Sequence, residues 1–161
     1  MINKALLLDH IITALESLYQ DAFDAAMRAY DTATNDENEA ENKYDTLGLE
    51  ASYLAQGQSK RVIECEADLN AFKKLKINEP DANGTIISGS LIYLLEENNN
   101  ILILFLGPAA GGLTVKFAHT SITIITPSAP LGRALLGRSV DDEIELKLGN
   151  IQKLYSVTNI L

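Results

Sequence analysis

The sequence has no tryptophan, one cysteine, four prolines and two histidines in 161 residues. With Cys65 alone, no intramolecular disulfide can form, and neither a thiolate zinc site nor a CxxC redox pair can be assembled. His10 and His119 stand far apart, so a catalytic histidine pair or a histidine metal site has no support, and both read as surface or packing residues. No stretch approaches the roughly 20 apolar residues that cross a bilayer. The start, Met1 to His10, has only a four-residue apolar run, too short for a signal-peptide core. A cytoplasmic protein without a membrane partner is expected. Basic residues are also scarce: 13 Lys and Arg against 22 Asp and Glu give a formal charge of −9. Affinity for a phosphate backbone comes from Lys and Arg displacing counterions, so any nucleic acid must be met locally. The glycine-rich stretch 107–112 is not a phosphate loop, because it lacks the GK[ST] ending and a following helix. No small-molecule substrate is expected.

What is present falls into two halves with different periods. In the first, apolar residues at Leu8, Ile11, Leu15, Leu18, Ala22, Ala25 and Ala29 recur every three or four positions, which predicts a helix over about 6–33. A second helix is predicted over about 46–75, from Leu47, Ala51, Leu54, Gln58, Val62, Cys65, Leu69, Phe72 and Leu75. Each long helix with one apolar seam needs a partner to bury it, and an antiparallel helical hairpin is the economical solution. The link holds five carboxylates, Asp36, Glu37, Glu39, Glu41 and Asp45, around Lys43. In a hairpin it sits at the far tip, so residues 35–45 make that tip acidic.

Pro80, Asn83-Gly84 and Gly89 end the helical pattern, placing a boundary between a hairpin over 1–77 and a second domain over 78–161. There the β-branched and aliphatic runs 86–95, 101–106, 113–117 and 120–125 predict strands, the first two joined by Glu96-Glu97-Asn98-Asn99-Asn100. A short helix is expected over 129–136, with Ser128 as N-cap, Pro130 in the first turn and Gly137 as its stop. Strands over 143–148 and 154–161 complete an α+β class: a hairpin followed by a small antiparallel sheet with one short helix.

The second half also carries Ile87-Ser88-Gly89-Ser90-Leu91-Ile92, Leu104-Phe105-Leu106-Gly107-Pro108, Ser128-Ala129-Pro130-Leu131-Gly132-Arg133-Ala134-Leu135-Leu136-Gly137 and Val140-Asp141-Asp142-Glu143-Ile144-Glu145-Leu146. With the two-part layout, these resemble the Gre-type transcript cleavage factors of bacteria. The resemblance implies an FKBP-like fold for the second domain. It also implies docking on bacterial RNA polymerase at the rim of the secondary channel, through Ser128, Pro130, Leu131, Gly132 and Arg133. DNA binding, also expected of the family, would be local on so acidic a chain. The hairpin tip would reach the nascent RNA 3′ end and share Mg²⁺ with the polymerase active site. The polymerase, not this chain, would then hydrolyse the RNA. Physically, Arg133 offers a planar five-donor fork suited to a partner carboxylate, or is a solvated charge, while Leu131, Leu135 and Leu136 fit a core.

The tip departs from the family's spelling, approximately glycine-aspartate-leucine, a basic residue, glutamate-asparagine-alanine-glutamate-tyrosine. Here it reads Asn38-Glu39-Ala40-Glu41-Asn42-Lys43-Tyr44-Asp45. Laying Glu41-Asn42 on the glutamate-asparagine pair puts Asn38 or Glu39 opposite the aspartate. Glu39 and Glu41 are the expected metal-directed pair, with Asp36, Glu37 and Asp45 as competitors, unless these acids only keep a turn soluble. Two alternatives stay open: a channel-binding regulator without cleavage activity, and an FKBP-like prolyl isomerase or chaperone, which would need an aromatic-lined cleft.

Overall fold

A computed structural model of the chain describes residues 2–35, 41, 46–77 and 84–161. By packing, the chain forms two units, one of Ile12–Asn70 and one of Met1–Ile11 with Ala71–Leu161.

Helices α1 (Lys4–Thr34) and α2 (Leu47–Lys74) form the hairpin. The start of α1 is fixed by Asn3, whose Oδ1 accepts from the N–H groups of Ala5 (3.0 Å) and Leu6 (3.1 Å) and so satisfies two of the donors a helix start leaves open. At the start of α2 the Thr46 carbonyl accepts the Glu50 N–H at 2.9 Å, and the Thr46 hydroxyl donates to the Glu50 carboxylate at 3.0 Å. Lys73 and Lys74 in the last turn complement the negative end of the helix dipole. Within the 12–70 unit the seam buries Leu15, Ala22 and Ala29 of α1 and Ala51, Cys65 and Leu69 of α2. Leu47 and Leu54, expected on the seam, are 49% and 56% exposed. The reason is a difference of one residue in the stride: α2 turns Ala55, Val62 and Leu69 inward, four positions after 51, 58 and 65, and Leu54 falls outside that stripe.

The other unit is built on a six-stranded sheet of β1 (Leu91–Glu96), β2 (Ile101–Leu106), β3 (Thr114–Phe117), β4 (Thr120–Ile125), β5 (Glu143–Leu148) and β6 (Ile151–Ile160), in the order β3-β4-β2-β1-β6-β5. Its pairings are antiparallel except β2 with β4, which run parallel because β3 lies outside β4 and the chain returns between β3 and β2. Helix α3 (Pro130–Leu135) carries the chain from β4, near one edge, to β5 at the other.

Neighbours in the register share a face, because strand side chains alternate. One face presents Ile92, Leu94, Leu104, Leu106, Ile144, Tyr155 and Val157, and is closed by Leu135 of α3 and by Ile86. The opposite face presents Leu91, Phe105, Val115, Ile122 and Ile124, all buried. Phe72, from the end of α2, stacks on Phe105 with ring centroids 6.2 Å apart. Leu7 and Ile11, from the start of α1, are fully buried in the same unit, and the His10 ring lies 5.5 Å from that of Phe117. Phe72→Ala should therefore destabilise the fold by about 3–5 kcal/mol through lost burial and the cavity left behind, read as a lower urea midpoint.

The β3–β4 hairpin closes on the pair Phe117 and Thr120 with only Ala118 and His119 between them. Their φ angles are 47° and 64°, as a type I′ turn demands, yet neither residue is glycine or asparagine. A left-handed conformation costs a residue with a Cβ roughly 1–2 kcal/mol. Ala118→Gly should relieve part of this and stabilise by about 0.5–1 kcal/mol, visible as a raised unfolding temperature.

Candidate docking site around helix α3

The segment entering α3 is locked by its own backbone. Ala129 N–H donates to the Thr126 carbonyl at 3.0 Å, and Arg133 N–H donates to the Ala129 carbonyl at 2.9 Å. The N-cap is Ala129, with φ −76° and ψ 147° and no side-chain cap bond. The expectation that Ser128 caps the helix is thus corrected: the Ser128 hydroxyl instead pairs with that of Thr126 at 2.7 Å. The helix starts one residue later than expected, at Pro130, whose ring presets φ and whose missing N–H costs nothing in a first turn.

Gly132 is where α3 meets the end of β4. A Cβ there would stand 2.0 Å from the Thr126 carbonyl oxygen and 2.7 Å from its carbon. Only a hydrogen fits, so this glycine serves packing directly and sets how deep α3 lies. Leu135 is fully buried and Leu131 is half-buried against the same cluster, while Leu136 is 49% exposed. Of the three leucines expected in the core, Leu136 alone faces mostly outward. Gly137, at φ 80°, ends the helix and donates its N–H to the Ile86 carbonyl at 2.8 Å. Ile86 N–H in turn donates to the Arg138 carbonyl at 2.7 Å.

Arg133 is exposed, and its Nη2 donates to the Ser128 carbonyl at 3.2 Å. That bond folds the guanidinium back over the helix entrance, beside Ser128 and Pro130. Ser128, Pro130 and Arg133 are therefore gathered at one exposed corner, and Gly132 and Leu131 support it from beneath.

The corner borders a cleft that no sequence motif announces. An open cleft of about 460 Å³ is lined by Pro108, Ala109, Ala110, Gly111 and Gly112 on one side and by Ile124, Ile125, Thr126, Ser128 and Ala129 on the other. The 108–112 loop bends through positive φ at Ala110 (55°) and Gly112 (92°), and Gly112 N–H is tied to the Ile124 carbonyl at 2.8 Å. Its small side chains leave space above the Thr126 and Ser128 hydroxyls. The signal was present in the sequence as the Ala109-Ala110-Gly111-Gly112 run, which reads as a chain that must stay thin. None of the lining residues is aromatic.

At the hairpin tip, Glu41 is exposed; Asp36, Glu37, Glu39 and Asp45 lie outside the described residues. Among the described residues no group of three or more His, Cys, Asp or Glu could hold a metal ion. His10 packs beside Phe117, His119 sits in a turn, and Cys65 is a buried free thiol, so each is accounted for by structure. Because the Thr126 carbonyl cannot move without breaking its bond to Ala129, Gly132→Ala should cost at least about 3 kcal/mol. Loss of cooperative unfolding or a sharply lower denaturation midpoint would register it.

No family model matches the chain. A transcription elongation factor GreA of Sphingopyxis alaskensis is 28% identical over 141 residues, covering 84% of this chain and 85% of that protein. Among solved structures, the GreA factor homolog Gfh1 of Thermus thermophilus aligns with 93% of this chain and 94% of its own, at 20% identity and a TM-score of 0.39. A GreA/GreB elongation factor of Nitrosomonas europaea aligns with 60% of this chain and 78% of its own, at 20% identity and a TM-score of 0.34. The sequence match spans hairpin and sheet alike, and over most of its length the chain resembles a Gre-type transcription elongation factor.

Proposed function

We propose that this protein is a transcription elongation factor that binds bacterial RNA polymerase at its secondary channel and stimulates cleavage of backtracked nascent RNA. The observation that carries the reading is the match to a GreA factor across 141 residues, which includes both the hairpin and the sheet. Ser128, Pro130 and Arg133 at the α3 corner dock on the polymerase, with Leu131 and Gly132 holding that corner in shape. Arg133 uses one donor on the Ser128 carbonyl and keeps the rest of its fork for a partner carboxylate, a charge-assisted contact stronger than a neutral one.

The tip acids Glu39 and Glu41 act at the RNA 3′ end. Carboxylate oxygens are the hard donors that Mg²⁺ prefers, and one or two suffice when the remaining positions stay with water or phosphate. A Mg²⁺ shared there with the polymerase active site would supply charge stabilisation to the attacking and leaving oxygens. Glu39 and Glu41 contribute ligand oxygens and orient a water, and the hydrolysis belongs to the polymerase. The chain is thus an accessory factor without a complete active site of its own, working in the cytoplasm.

A second reading, a channel-binding regulator without cleavage activity, is favoured by one observation: the tip spells Asn38-Glu39-Ala40-Glu41-Asn42 where the family pattern begins glycine-aspartate-leucine. Stalled polymerase complexes separate the two. With Mg²⁺ and the wild-type protein, transcripts should shorten, and Glu39→Ala with Glu41→Ala should reduce that rate by about a hundredfold or more. Unchanged shortening with the double variant would move the site elsewhere. Absence of shortening by the wild type, together with competition against a cleavage-competent factor, would establish the second reading. Arg133→Ala should raise the protein concentration for half-maximal shortening by about tenfold, the loss expected for one charged contact, while leaving the rate at saturation unchanged.

A further inference from the structure

We propose that the outer edge of β5, which no strand among the described residues covers, pairs with the same edge of a second copy of this chain, antiparallel and two-fold symmetric about Leu146. Strand β5 ends the sheet beyond β6. Val157 N–H donates to the Asp142 carbonyl at 2.9 Å, and Glu143 stands opposite Ser156. By the alternation of an antiparallel ladder, residues 142, 144, 146 and 148 bond to β6, and the backbone groups of Glu143, Glu145 and Lys147 point outward. An edge of this kind is a template for another strand.

The side chains decide which strand fits. Two copies of β5 can bond only where outward-pointing residues meet one another. Centring the pair on Ile144 sets Glu143 against Glu145, centring it on Glu145 sets that residue against itself at the two-fold although Glu143 then meets Lys147, and centring it on Lys147 sets two ammonium groups together. Centring on Leu146 places Glu145 opposite Lys147 of the second copy, and by symmetry does so twice. Opposite charges directly across a strand pair are favourable and like charges unfavourable. In that register the other face sets Leu146 against Leu146 and Leu148, 47% exposed in one copy, against buried Ile144. Glu145 and Lys147 already lie on one face, Lys147 Nζ 3.8 Å from Glu145 Oε1, with side chains 46% and 74% exposed, and Gln152 donates to the same carboxylate. The opposite edge, β3, has four residues and Lys116 as its charge, so it offers itself no opposite partner.

Sedimentation equilibrium of the full chain from micromolar to millimolar concentration tests the pairing. The wild type should show a monomer–dimer equilibrium. Lys147→Glu and Glu145→Lys should each weaken it by about tenfold or more, and the double exchange should restore it, since the opposite charges then face each other again. Amide exchange on the unaltered protein gives an independent measurement: the N–H groups of Glu145 and Lys147 should gain protection as concentration rises. A chain monomeric into the millimolar range would overturn the proposal. So would single variants that dimerise like wild type, a folded double exchange that fails to restore pairing, or protection independent of concentration.

Discussion

The central constraint is that the inner strands β1 and β2 are apolar on both faces, so the sheet must be covered twice there. In β1, Leu91, Ile92, Tyr93, Leu94 and Leu95 leave no polar residue to mark a solvent side, the pattern of a strand with neighbours above and below. One cover comes from α3 and Ile86, which close over Leu94, Leu104 and Ile144. The other comes from residues at the two far ends of the hairpin helices, with Phe72 stacked on Phe105. The position of Gly107 is tied to that second cover. A Cβ on it would come within 2.7 Å of the Phe72 ring and 3.0 Å of Ile124, so the chain leaving β2 must carry no side chain there.

Much of this was legible in the sequence because the two periods differ so sharply. The bounds expected for β2, β4 and β5 coincide with those observed, since each is an apolar or alternating run between turn residues. The hairpin helices were equally plain, with spacing of three and four uninterrupted by proline. The run 86–95 predicts strand throughout, but its first half is irregular and β1 begins at Leu91. Ser90 accepts the Ile87 N–H on its hydroxyl at 3.0 Å, and Gly89 adopts φ 88°, so a local turn displaces the ladder there. Leu54 was misplaced because a choice between steps of three and four is made by the partner helix and not by the chain itself.

The docking corner was legible as a motif but not as a mechanism of support. Gly132 is expected among the docking residues; in the structure the space its missing side chain leaves is filled from inside, by the Thr126 carbonyl. Ser128 looked like a cap and is instead half of a hydroxyl pair at the cleft mouth. Both differences come from a contact between the end of β4 and α3, which no local pattern announces. The cleft beside them joins residues 108–112 to residues 124–129, and the pairing of those two segments depends on the β2–β4 parallel crossover.

Placing Leu7, Ile11 and Phe72 in one unit with β1 and β6 has a consequence for the chain as it leaves the ribosome. Residues from the first dozen positions share that unit with the last strand, and β6 supplies the ladder partner of β1. Synthesis proceeds at about 5–20 residues per second, so Leu7 waits many seconds for its burial site. The interval leaves apolar groups at the start of α1 uncovered. Synthesis of the sheet, and not of the hairpin alone, is then what the native form of this unit requires.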